Sequence, residues 1–176
     1  MLAKPLKSIP TRKTQPDLRV LVGRDLDQLK EVYRDAVISQ AKGLYSPAQI
    51  EAWANHGHRS DALAMALING YGLASSNPTD PTVIEAFGVL DPIERLSLLY
   101  CRGRSCRQGR SRRILEGLEK HAWQQGCRHW HTEASQLSKP LLLRLGWQIE
   151  AEETVIFAGE AFLRWRMIKS VENSGG

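Results

Sequence analysis

Residues 96–119 constrain the fold more than any other stretch, because an apolar run passes through an arginine-rich, glycine-bearing loop straight into a segment of helical periodicity. The run Leu96–Cys101 is short and is closed by Arg102 and Gly103, which suits a buried strand better than a helix. Beyond the loop 106–111 (CRQGRS), Ile114, Leu115, Leu118 and Ala122 fall on one face of a helix expected over 111–125, with Gly126 as its stop. First-turn N–H groups of that helix have no intrahelical acceptor and point back into the loop at the positive end of the dipole. Such a junction is an anion site. Half of the twelve residues 102–113 are arginine (Arg102, Arg104, Arg107, Arg110, Arg112 and Arg113), so a polyanion is the expected guest. The net charge of the whole chain is only +5, which assigns this basicity to a site rather than a coating. Arg112 and Arg113 sit in a first turn, where positive charge is unfavourable without a bound anion.

The rest of the chain supplies one core's worth of apolar pattern. A tail, 1–16, has four basic residues, three prolines and no acid, and is expected to be disordered, as is the terminus 171–176. At 42% hydrophobic content, residues 17–170 are expected to form one domain. Residues 18–22 read as a strand, and Asp25 as the N-cap of a helix ending before Gly43. Ser46 caps a second helix with Pro47 at its first position, which residues 55–58 (NHGH) are expected to break. Ser60 caps a third, ended by Asn69 and Gly70; a hairpin at Asn69-Gly70 is the alternative. Strands at 71–75, 83–90 and up to Cys101, joined by short turns, make an antiparallel meander. A strand at 128–133, a helix at 135–145 ended by Gly146, and a hairpin of 147–157 with 160–169 complete the order.

This order, together with the loop, resembles the GNAT N-acetyltransferase superfamily over nearly the whole chain after the tail. The family loop reads R/Q-x-x-G-x-G/A; here Gly109 and the small Ser111 match, while Cys106 stands where arginine or glutamine is usual. Residues 139–147 (KPLLLRLGW) look like the family's leucine-glycine-aromatic segment, and residues 45–53 (YSPAQIEAW) resemble the first helical region of one branch of bacterial small-molecule acetyltransferases. The resemblance implies an α+β (mixed α/β) fold with a mostly antiparallel, twisted sheet of about seven strands flanked by helices. It implies acetyl-CoA as co-substrate, without a metal, and a primary amine of a small molecule or peptide as acceptor. The pantetheine is then expected beside Leu99, Tyr100 and Cys101, and the pyrophosphate against Cys106, Arg107, Gln108, Gly109, Arg110, Ser111 and Arg112. Tyr45 and Trp53 are candidates for the acceptor pocket.

Amine attack on a thioester needs a proton acceptor for the amine, a donor for the oxyanion and an acid for the departing thiolate. The tyrosine that serves as acid in many relatives corresponds to Leu142, and a common asparagine to Ser135. The nearest hydroxyls are therefore Tyr100 and Ser135, and the nearest carboxylates Glu94 and Glu133. Each has a structural rival: packing for Tyr100, a solvated strand end for Glu94, an ion pair for Glu133 and a cap for Ser135.

Other signals compete. His56 and His58 lie where a loop is expected; Cys127, His129 and His131 fall on one face of a strand at period two, but no fourth ligand is near. Cys106 among arginines is expected to have a depressed pKa. The arginines also suit nucleic-acid phosphates, yet no aromatic stripe accompanies them, and a non-catalytic acyl-CoA-binding module is the third class. Three scattered cysteines, with no roughly 18-residue apolar run, suit a reducing cytoplasm, and a monomer or homodimer is expected.

Overall fold

The computed structural model describes residues 18–170; the expected tail 1–16 and terminus 171–176 lie outside them. The elements are β1 (Leu18–Val20), α1 (Leu26–Gln40), α2 (Pro47–Arg59), α3 (Ala62–Asn69), β2 (Tyr71–Ser76), β3 (Ile84–Leu90) and β4 (Leu96–Cys101). They continue as α4 (Arg110–Gln124), β5 (His129–Ala134), α5 (Lys139–Arg144), β6 (Gln148–Phe157) and β7 (Glu160–Ser170). Single 3-10 turns at Gly23–Asp25 and Gly103–Ser105 precede α1 and follow β4.

The seven strands form two antiparallel ladders, β1-β2-β3-β4 and β5-β7-β6. Among the described residues they are bridged where β4 and β5 begin: Arg95 and His131 form a parallel bridge, His131 N–H donates to the Glu94 carbonyl, and Thr132 Oγ1 donates to the Leu96 carbonyl at 2.7 Å. Past that point the two strands separate. All seven residues of β3 are buried, as expected for a strand with helices on both faces. Phe87 and Val89 pack with Leu29 and Val32 of α1, whereas Ala86 and Leu90 pack with Ile114 and Leu118 of α4. Gly88 is required for the second contact, since a Cβ there would sit 2.8 Å from Ile114 Cγ2. Burying Ile114, Leu115 and Leu118 stabilises the fold by roughly 1.5–3 kcal/mol each, which is why α4 holds its N-terminus fixed beside β4.

Three local expectations change. Residues 55–58 do not break α2, because Gly57 is the close-approach point of α2 on α1: a Cβ would lie 2.8 Å from Tyr33 Cδ1. Asp25 stands at the N-cap of α1 as expected, but its side chain makes no capping bond; its carboxylate accepts from Arg19 Nη1 and Nη2 at 2.8 and 2.9 Å and from Val22 N–H, which ties β1 to the turn. The helix expected over 135–145 is shorter, because Ser135 Oγ accepts from the N–H groups of Leu137 and Ser138 and holds a turn ahead of α5. Ser46 caps α2 as expected, in a reciprocal box with Gln49. Among the described residues no helix is long and apolar enough to cross a membrane.

Candidate functional site

The separation of β4 from β5 opens a cleft of about 760 Å³ that runs along β4 from the loop before α4 to the β6–β7 hairpin. In the β3–β4 ladder Arg102 N–H donates to the Glu85 carbonyl, so by alternation Tyr100 and Leu98 also bond to β3. The amides of Leu99 and Cys101 therefore face the gap left by β5. The Cys101 carbonyl is taken by Gln40 Nε2 of α1 at 2.7 Å, but its N–H is open to the cleft.

At one end of β4 the chain makes the expected loop. Arg107 has φ +60° and Gly109 φ +76°, both left-handed, and the second puts Gly109 at the N-cap of α4 with no side chain capping it. The first intrahelical bond is Arg113 N–H to the Gly109 carbonyl, so the N–H groups of Arg110, Ser111 and Arg112 have no acceptor among the described residues. A side chain at Gly109 would meet no atom within 4 Å, so the glycine serves the left-handed backbone rather than a tight contact.

The loop's arginines divide by partner. Arg104 bonds to both oxygens of Glu85 at 3.0 and 2.7 Å, and Ser105 Oγ and Asn77 Nδ2 add bonds to the same carboxylate. Glu85 is 1% exposed. Burial pushes its carboxyl up, but the bonds from Arg104, Ser105 and Asn77 together outweigh it and hold the pKa at about 2. Asp35 of α1 accepts from Gly103 N–H at 2.8 Å, a second tie on the same turn. Arg110 is buried and donates to Ser75 Oγ and the Ser76 carbonyl, fastening α4 to β2. Arg102 bonds to the Ile84 carbonyl, and Arg112 pairs with Glu116 one turn along α4. Arg107 is exposed and has no partner among the described residues. So Arg102, Arg104 and Arg110 shape the loop, and its free donors are main-chain N–H groups with Arg107 beside them. Arg144, exposed at the end of α5, faces the same cleft. Sequence reading missed both Glu85 and Arg144. A lone acid inside the apolar run 83–90 was the signal for the first; nothing in the sequence marks the second.

Cys106 corrects an expectation. Burial is the chief influence and raises its pKa, and Sγ donates to the Arg102 carbonyl at 3.3 Å, while the neighbouring Arg104 is spent on Glu85. Cys101, also at the cleft, is pushed up to about 12 by burial. Both are free thiols with little thiolate at neutral pH.

The candidate catalytic groups do not all meet. Tyr100 lines the cleft, packs on Tyr33 with ring centroids 4.5 Å apart, and accepts a long bond, 3.4 Å, from Trp53 Nε1. Burial pushes its hydroxyl up to about 12, so it keeps its proton at neutral pH. Glu133 also lines the cleft; Arg95 Nε and Nη2 hold its Oε2 at 3.1 and 2.9 Å. Ser135 lines the cleft as well, with its Oγ engaged in the turn before α5. Glu94 is exposed and is not among the lining residues. Leu142, fully buried, contributes only apolar surface.

Tyr45 and Trp53 come together with Phe162 at the hairpin end, Tyr45 edge-on to Trp53 at 5.4 Å. Each is under one-tenth exposed, so they form the wall rather than protrude from it. The Tyr45 hydroxyl accepts from Gln136 N–H at 2.9 Å. His56, in helix rather than loop, lies against Phe157 at 4.4 Å, and burial lowers its pKa. Among the described residues no group of three His, Cys, Asp or Glu side chains could hold a metal ion; Cys127 Sγ is turned onto the His129 carbonyl and His129 onto Ser170.

Neither a family model nor a curated protein matches the sequence. Solved structures do. A GCN5-related N-acetyltransferase from Rhodopseudomonas palustris superposes with a TM-score of 0.83 at 22% identity, over 90% of this chain and 97% of that one. PaiA N-acetyltransferase from Thermoplasma acidophilum, in complex with coenzyme A, gives 0.66 at 18%, over 88% and 99%. A GNAT superfamily phosphinothricin acetyltransferase from Sinorhizobium meliloti, in complex with acetyl-CoA, gives 0.63 at 14%, over 90% and 89%. At these identities the likeness establishes the fold.

Proposed function

We propose that this chain, which has the fold of the GCN5-related N-acetyltransferases, binds acetyl-CoA along β4 and transfers its acetyl group to a primary amine by direct attack. The observation that carries the reading is the continuity of one cleft. Unpaired amides of Leu99 and Cys101 lead directly to a left-handed loop whose N–H groups, from Arg107 to Arg112, have no acceptor among the described residues. A pantetheine arm extends the β4 edge by hydrogen bonding, and a pyrophosphate occupies the helix N-terminus. Coenzyme A and acetyl-CoA in the second and third neighbours support the same assignment.

In the transfer, the amine lone pair forms the C–N bond to the thioester carbonyl and the C–S bond breaks. One backbone N–H on the open edge of β4, at Leu99 or Cys101, stabilises the developing oxyanion, and the other is left to the pantetheine arm. The amine loses a proton to Glu133 through water, since Glu133 is the cleft carboxylate whose Oε1 has no partner among the described residues. The thiolate takes a proton from Tyr100, which stays protonated at neutral pH and replaces the hydroxyl that Leu142 cannot supply. Residues 17–170 act as one domain, with a monomer or homodimer sufficing because every group named comes from one chain. Three free thiols support a reducing, cytoplasmic setting.

The test is a thermal shift with coenzyme A, acetyl-CoA and an oligonucleotide, followed by thiol release from acetyl-CoA with a panel of amines. Stabilisation by coenzyme A and thiol release are expected. Stabilisation without turnover on any amine favours an acyl-CoA-binding module, the second reading, which the buried Leu142 supports; a response to oligonucleotide alone would discard both.

A further inference from the structure

The ring-lined wall of the cleft, which meets β4 at Tyr100, carries a second message, about the acceptor. It is built from rings of α2, the segment before it and the β6–β7 hairpin: Phe157 lies edge-on to Phe162 at 5.8 Å, Trp53 edge-on to Phe162 at 6.0 Å, and His56 packs on Phe157. Leu137 and Val155 fill the spaces between them. Most polar groups there are already paired. Arg164 pairs with Glu153 at 2.7 Å, Glu133 with Arg95 at 2.9 Å, and the Tyr45 hydroxyl with the Gln136 amide. Among the described residues two carboxylates line the cleft, Glu133 and Asp91, and Asp91 lies in the turn before β4, at the opposite end of that strand from Tyr100, on which Trp53 of the ring wall rests. Apart from Oε1 of Glu133, which takes the proton of the reacting amine, no lining carboxylate among the described residues stands beside the rings to receive a second or third ammonium.

Taking a polycation into such a place costs several kcal/mol for each unpaired charge, whereas an apolar body gains about 25 cal/mol for each Å² removed from water. A single ammonium can rest on ring faces before it gives up its proton, and the same desolvation favours its neutral, nucleophilic form. We infer that the acceptor is a monoamine with an aromatic or similarly large apolar body, and not a polyamine or an aminosugar. The inference rests on the acetyl-CoA reading of the cleft. Phe157 is its main determinant, because it is a half-buried ring that lines the cleft next to the hairpin turn, whereas Tyr45, Trp53 and Phe162 are each under one-tenth exposed.

The experiment compares thiol release from acetyl-CoA with 2-phenylethylamine, spermidine and kanamycin, alongside the thermal shift with coenzyme A. Expected is a kcat/KM for 2-phenylethylamine roughly tenfold or more above the other two, the value of about 1.4 kcal/mol of extra binding. Equal rates, or a preference for spermidine or kanamycin, overturn the inference. So does the absence of turnover on all three while coenzyme A still stabilises the protein, an outcome that leaves the cofactor reading standing; no stabilisation by coenzyme A removes that reading as well. The variant Phe157→Glu should lower kcat/KM for 2-phenylethylamine about tenfold and raise it for spermidine, with KM for acetyl-CoA unchanged. An unaltered ratio between the two amines in that variant counts against the assignment of the wall.

Discussion

At the α4 end of the cleft the groups proposed to bind are main-chain donors from six consecutive residues, 107–112; at the ring end they are rings from residues 45, 53, 56, 157 and 162, brought together by tertiary packing. The first end is held by an ion pair and a charge-assisted hydrogen bond beneath it, Glu85 with Arg104 and the Gly103 amide onto Asp35, and the second mainly by ring contacts. A polar scaffold fixes backbone direction, which a phosphate reads. An aromatic one fixes shape, which an apolar substrate reads. Tyr100 stands between the two and touches both, through β4 on one side and Trp53 on the other.

The widest gap between the ends should open at that residue. Tyr100→Phe keeps the ring against Tyr33 and removes only the hydroxyl, so kcat is expected to fall about 100-fold if it is the acid, with KM for acetyl-CoA unchanged. The basic limb of the kcat–pH profile should also disappear. An unchanged kcat would make Tyr100 a packing residue and leave the thiolate to be protonated by water.

The ion-paired end should be the more sensitive to acid. Glu85 has its carboxyl depressed from the ordinary 4.5 to about 2. A depressed carboxyl contributes stability above its unfolded value that is lost as pH falls, so the window here runs from about pH 4.5 down to about 2, and the loss is of order 2–3 kcal/mol. Thermal melts of the parent chain against Glu85→Gln should converge across that window and differ most at neutral pH. If the variant and the parent keep a constant difference down to pH 2, the carboxylate is not what holds the loop. Coenzyme A affinity should fall in the variant more than the affinity for the amine, because Arg104 and Ser105 lose their anchor at the loop end only.

Gly109 and Gly126 offer a matched pair at the two termini of α4, with φ of +76° and +88° and open space around both. Valine at either costs roughly 1–2 kcal/mol of backbone strain. Only at Gly109 should it also weaken coenzyme A binding, by about tenfold in calorimetry, because only there do free N–H groups face the cleft. Equal affinities in the two variants would move the pyrophosphate elsewhere.

What could be read from sequence follows the same division. The strand, loop and helix at 96–119 were legible because their signals are local: an apolar run, a glycine, and a 3.6-residue period within some two dozen residues. Seven strands were legible from alternation, but their division into two ladders was not, since it depends on where β4 and β5 part. Gly57 looked like a breaker because a glycine in a helix and a glycine demanded by a ring 2.8 Å away have the same letter. The low thiol pKa expected for Cys106 assumed that neighbouring arginines were free, and Arg104 is committed to Glu85, nineteen residues back on β3. His56 was placed in a loop for the same reason as Gly57 and therefore not joined to Phe157, a residue of the hairpin. Long-range pairing decides each of these cases, and pattern alone does not contain it.

Arg107 and Arg112 give the smallest and most discriminating effect. They are five residues apart and both exposed, yet Arg112 already pairs with Glu116 at 2.7 Å while Arg107 has no partner among the described residues. If the bound polyanion sits over the loop, Arg107→Ala should weaken coenzyme A binding about two- to fivefold, the range of an exposed ion pair, and the difference should shrink at high salt. Arg112→Ala should cost less, because its guanidinium must leave Glu116 to reach a phosphate. The reverse order would mean that the first turn of α4, rather than the left-handed residue before it, carries the electrostatic contact, and that the positive charge which Arg112 places at a helix N-terminus is stabilised mainly by the ligand.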